Sequence, residues 1–123
     1  MHYCRISDRI LAQRAHGLIT GHLDCYDSIP GLARKLGTNP TKLKVVFKLV
    51  YGESVFEFSR RVRMEKAKEL LVTTDDTLQS IAEQVGYTEG NNFQAAFKKV
   101  VGCTPGEWRR MLGEGGRETG EGI

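Results

Sequence analysis

The sequence predicts an all-α chain of about seven helices, two helix-turn-helix units joined by a long linker helix. Three observations predict it: one helical unit occurs twice, apolar residues recur at the 3.6-residue period, and glycines stand where the short helices should stop. The segment from Ser28 to Gly37 (SIPGLARKLG) aligns with that from Thr77 to Gly86 (TLQSIAEQVG) at an offset of 49. One inserted residue then raises the offset to 50, and Leu43, Phe47, Lys48, Gly52, Ser54, Glu57 and Phe58 match Phe93, Phe97, Lys98, Gly102, Thr104, Glu107 and Trp108.

Each element follows from local chemistry. Residues 1–27 form an N-terminal segment with one amphipathic helix, carried by Ile6, Ile10, Leu11, Ala15, Leu18 and Ile19. The first helix-turn-helix occupies 28–53. Ser28 can cap its first helix by accepting from orphan first-turn amides. Gly37 ends that helix where a left-handed backbone costs glycine least. Asn39 and Pro40 then announce a second helix as N-cap and N1. The linker helix occupies 54–72, with Ser54 and Glu57 as a capping box and Phe58, Val62, Ala67, Leu70 and Leu71 as its apolar stripe. About 18 residues at 1.5 Å each give a strut of roughly 27 Å, close to the ~34 Å between major-groove faces one turn apart. The second helix-turn-helix and a last helix occupy 77–112, with Thr77 and Thr104 as caps and Gly86 as the stop. The tail, 113–123, holds five glycines in eleven residues and is expected to be disordered.

Both second helices divide into two faces. Leu43, Val46, Phe47 and Val50 point inward, as do Phe93, Ala96, Phe97 and Val100. Thr41, Lys44, Val45 and Lys48 point outward, as do Asn91, Gln94, Ala95 and Lys98. Solvated faces alone would account for one such helix, but two matched polar faces suit a pair of recognition helices.

Charge points the same way. Net charge is +3, yet residues 28–72 hold ten Lys or Arg against four Glu, whereas 73–112 hold four against five. A basic stretch of this kind suits a polyanionic partner. At 123 residues the chain allows one compact domain or two very small ones, which excludes a large cofactor enzyme. No apolar run approaches the ~18 residues of a membrane span, so no membrane partner is expected. Arginines stand where an export signal would be apolar, and Cys4, Cys25 and Cys103 are an odd, irregular set. Both features suit reduced thiols in the cytoplasm. His2, Cys4, His22 and Cys25 match no closed zinc spacing, so no metal or cofactor is expected. Cys103 has no base near it in sequence and reads as a small packed side chain, and no catalytic constellation is present.

From Ile6 to about Leu112 the sequence resembles the DNA-binding domain of the AraC-type bacterial transcription regulators. The resemblance rests on Ile81, Ala82, Val85, Gly86, Tyr87, Asn92, Phe93, Phe97, Lys98, Lys99, Gly102, Thr104, Pro105, Trp108 and Arg109. In the linker it adds Phe58, Arg63, Met64, Ala67, Leu70 and Leu71, with Arg63 at the family's structural arginine. It implies two homeodomain-like helix-turn-helix units reading double-stranded DNA in successive major grooves and regulating transcription. On it, Thr41, Lys44, Val45, Asn91, Gln94 and Ala95 are expected to face bases. Lys42, Lys48, Arg60, Arg61, Asn92 and Lys98 are expected to face phosphates. The expected setting is the bacterial nucleoid, with RNA polymerase as a further partner and the isolated chain monomeric. The chain also departs from the family. Arg is common where Ala95 stands, a polar or basic residue at Val45, Ser or Thr at Gln94, and an aromatic at Asn92. Base preference therefore does not carry over. The competing reading is a helical protein-interaction module without DNA binding, which leaves the matched polar faces unexplained.

Overall fold

The computed structural model describes residues 5–25 and 28–114, and all the elements it describes there are helical. Seven α-helices follow in order: α1 (Ile6–Gly21), α2 (Ile29–Leu36), α3 (Pro40–Tyr51), α4 (Val55–Thr73), α5 (Leu78–Gln84), α6 (Gly90–Val101) and α7 (Pro105–Trp108). A π-helical segment, Arg109–Glu114, continues from α7. The expected last helix therefore changes winding at Arg109, and the helical chain runs two residues beyond Leu112. Residues 115–123 of the predicted tail, with His2 and Cys4, lie outside the described residues. No described helix is long and apolar enough to cross a membrane.

The chain divides into two compact units, Met1–Arg60 and Arg61–Ile123. The boundary falls inside α4, so each unit takes part of that helix.

In the first unit α1, α2 and α3 pack on one another around Ala12, Ala15, Ile19, Leu32, Ala33, Leu36, Leu43, Val46 and Phe47, with Val55 and Phe58 from the start of α4 also buried. An aromatic cluster closes this core. The Phe47 ring lies 4.8 Å from Tyr51 and 5.3 Å from Phe58, and His16 lies 4.7 Å from Phe58. Two predicted inward residues of α1, Ile6 and Ile10, are exposed instead. They lie in its first two turns, while the buried Ala12, Ala15 and Ile19 belong to its later turns.

In the second unit Met64, Ala67 and Leu71 of α4 pack with Ile81, Ala82, Val85, Phe93 and Phe97, all fully buried. Trp108 covers this core, its ring 6.4 Å from Phe97. Arg63 is 2% exposed, and its guanidinium donates to the Val85 carbonyl at 2.9 Å. Arg109 donates from Nε to the Leu71 carbonyl and from a terminal nitrogen to that of Thr74, both at 3.0 Å. It thereby satisfies the Leu71 carbonyl in the last turn of α4 and the Thr74 carbonyl just beyond it.

The repeat extends to the hydrogen bonds. Ser28 Oγ accepts from the Gly31 amide, and Thr77 Oγ1 from that of Ser80. After each short helix the chain turns through a glycine at positive φ, 74° at Gly37 and 91° at Gly86. The Thr38 amide then reaches back to the Ala33 carbonyl, and the Tyr87 amide to that of Ala82. This closes the same left-handed stop twice. Ser54 with Glu57, and Thr104 with Glu107, form matching capping boxes.

Candidate nucleic-acid interface

The two second helices of the repeat each present a polar face over an apolar back. On α3, Thr41, Lys42, Lys44, Val45 and Lys48 are exposed while Leu43, Val46 and Phe47 are buried. On α6, Asn91, Asn92, Gln94, Ala95 and Lys98 are exposed while Phe93 and Phe97 are buried. The fixed backs orient these faces, because Phe47 and Phe97 cannot leave their cores without opening cavities. Val100, expected inward, is 37% exposed, whereas the next residue, Val101, packs against the core.

The start of α3 is held by its own cap and by a charge pair. Asn39 Oδ1 accepts from the Lys42 amide at 2.8 Å, and Lys42 Nζ lies 3.7 Å from Asp8 of α1. The start of α6 differs. Glu89 holds the N-cap position and makes no side-chain cap bond, and its Oε1 instead accepts from Asn92 Nδ2 at 3.3 Å. The helix begins at Gly90, so Asn91 and Asn92 lie in its first turn, and only Gln94 stands a full turn in. No proline marks this start, as Pro40 marks that of α3.

Toward the far ends of the two faces the electrostatics are duplicated. The Glu57 carboxyl is held below the ordinary carboxylate range, first by the Ser54 backbone amide, then by the Ser54 hydroxyl, with Lys48 and Arg60 adding attraction. Glu107 is lowered in the same way, first by the Thr104 amide, then by its hydroxyl, with Lys98 and Arg110 adding attraction. A carboxyl depressed in the folded state stabilises the fold above its ordinary pKa, and loses that contribution as pH falls through the lowered value. Each unit thus gathers basic side chains around a capping carboxylate at the end of its exposed helix. In the first unit these are Lys48 and Arg60, whose guanidinium also lies 5.1 Å from the Phe56 ring centre. Arg61 is exposed and falls in the second unit. Adjacent in sequence, Arg60 and Arg61 are thus divided between the two units.

Some surface residues of this region escaped the sequence reading. Glu89, Gln79 and Leu78 line an open groove with Gly90, Asn91, Phe93 and Gln94. Lys99, beside Lys98, is also exposed. The available signal for Glu89 was the repeat itself, which sets it opposite the capping Asn39.

The model of a family described as "Helix-turn-helix domain" matches residues 32–111. The C-terminal domain of AraT, a response regulator from Geobacillus stearothermophilus, superposes with a TM-score of 0.80 at 34% identity, covering 82% of this chain and 84% of that one. The arabinose operon regulatory protein of Salmonella typhimurium is 32% identical over 92 residues, 74% of this chain and 33% of the relative. The DNA-binding domain of AdpA, solved in complex with a target DNA, shares the fold with a TM-score of 0.77 at 18% identity, over 81% of this chain and 90% of that one. The chain spans a third or less of the length of the first curated relatives it matches. This family consists of transcription-regulator domains and not of enzymes. With its doubled helix-turn-helix, its paired glycine stops and these relatives, the chain belongs to the AraC-type helix-turn-helix domain family.

Proposed function

We propose that the chain binds double-stranded DNA sequence-specifically, as a monomer, with α3 and α6 entering successive major grooves. Through this binding it regulates transcription on the bacterial chromosome, in the cytoplasm, with RNA polymerase as the further partner. Thr41, Lys44 and Val45 of α3, with Asn91, Gln94 and Ala95 of α6, face base edges. Lys42, Lys48, Arg60, Arg61, Asn92 and Lys98 face phosphates. The observation that carries this reading is the repeat of one arrangement in both units: an exposed polar helix face, an apolar back, and a lysine at its far end beside a capping glutamate. A protein-interaction module has no need of that repetition, whereas two similar contacts on a periodic polyanion do.

The chemistry of the two faces differs. Asn91 and Gln94 are carboxamides, which pair with adenine N6 and N7 together. Val45 offers only apolar contact, suited to a thymine methyl, and Lys44 suits the acceptors of guanine. Lys48 acts through its charge. Lys48→Ala should therefore weaken binding to all duplexes about equally and reduce the salt slope by ~1. Titrating wild type and variant against a specific and an unrelated duplex between low and high salt checks this. A variant with altered base preference and an unchanged slope would remove Lys48 from the phosphate set. A wild-type chain whose duplex binding ignores salt would overturn the DNA reading.

A further inference from the structure

The start of α6 carries a carboxylate where its counterpart α3 carries a cap. At the repeat offset of 50, Glu89 stands opposite Asn39. Asn39 is engaged by its own helix through the Lys42 amide. Glu89 is one methylene longer than aspartate, leaves the first-turn amides uncapped, and reaches Asn92 instead. That contact, 3.3 Å between two exposed side chains, is long for a hydrogen bond and readily exchanged for a better donor. Glu89 also lines the groove onto which Asn91 and Gln94 open, so it shares the concavity that the proposed readers occupy. The residue between them is Gly90, which has no side chain to screen the carboxylate. A Cβ there would lie 2.9 Å from Gln79 Oε1. No other acidic residue lies on either proposed reading helix, whose remaining charged residues, Lys42, Lys44, Lys48, Lys98 and Lys99, are all basic.

A carboxylate can only accept hydrogen bonds, and in the major groove it finds donors at base amino groups and repulsion at phosphates. We infer that Glu89 is a specificity-determining residue that accepts from the N4 amino group of a cytosine within the α6 half-site. It also disfavours any docking of α6 that brings a phosphate against it. In this way one charge does both: it rewards the right base and penalises the unspecific complex. The inference rests on the DNA-binding reading and adds a base class to it.

The test compares wild type with Glu89→Gln, which keeps the shape and removes the charge. Glu89 is exposed and makes no cap bond, so far-UV circular dichroism should be unchanged. Both proteins are used to select from a random duplex pool, and both are titrated against one unrelated duplex. For wild type we expect a cytosine preference of at least about fivefold at one position of the α6 half-site, the low end of a good base contact. In Glu89→Gln that preference should vanish, and affinity for the unrelated duplex should rise roughly two- to fivefold. Identical base preferences and identical unrelated-duplex affinities would overturn the inference and leave the DNA reading standing. A wild-type chain that retains no duplex from the pool would overturn both.

Discussion

Phe97→Ala is expected to destabilise the second unit by about 3–5 kcal/mol, as truncation of a fully buried aromatic does. Phe97 has no exposed surface, and its ring sits 5.9 Å from Phe93 and 6.4 Å from Trp108. Alanine would leave a cavity between α6 and α7 that neither neighbour can fill without leaving its own packing. Small domains have ~0.05–0.15 kcal/mol of stability per residue, so a unit of this size would lose most of what it has. Trp108 is the only tryptophan in the chain and packs against this core, which makes its fluorescence a report on the second unit. Urea titration followed at Trp108 should show the variant unfolded, or its midpoint far below that of wild type. A loss under ~1 kcal/mol would mean that Phe97 is not the keystone its burial indicates.

The second large effect is expected at Arg63. Its guanidinium is buried in the second unit and donates to the Val85 carbonyl, one residue before the glycine turn that leads to α6. Arg63→Met keeps the aliphatic stem and removes the donor. The carbonyl then stays buried without that charge-assisted bond, at a cost of about 2–3 kcal/mol. The same urea titration should show this loss. Arg63→Lys should recover only part of it, because a lysine offers a point charge where the site holds a planar fork. A methionine variant as stable as wild type would place Arg63 among the buried charges that a hydrophobe can replace without loss.

Most of the helical layout is legible in the sequence because it rests on local chemistry. Ser28, Asn39, Ser54, Thr77 and Thr104 are all side chains whose oxygens suit first-turn amides, and each accepts such a bond in the structure. Gly37 and Gly86 stop their helices at positive φ for a reason that also lies within a few residues. What escaped depends on packing between distant segments. Nothing local tells that His16 and Tyr51 join Phe47 and Phe58 in one aromatic cluster, since both are often exposed. Periodicity likewise overcounts the inward residues. Ile6, Ile10 and Val100 keep the helical spacing, yet no described element covers them, and they are exposed. The proposed site was legible as two outward faces, because exposure follows from the burial of the opposite face. The acidic start of α6 was not, because its meaning comes from a missing cap bond and from the groove that Glu89 shares with Asn91 and Gln94.

Whether the repeated helix faces read DNA is decided by selection from a random duplex pool. Wild type and the double variant Asn91→Ala with Gln94→Ala should be compared on the same pool and against an unrelated duplex. Wild type is expected to enrich two separate blocks of base preference, one for each unit, with adenine prominent in the block read by α6. The double variant should keep its affinity for the unrelated duplex while the adenine preference in that block falls by about 5- to 150-fold per carboxamide removed, the range of ~1–3 kcal/mol. A wild-type pool without any enriched block, or a double variant that enriches the same sequences as wild type, would contradict the account.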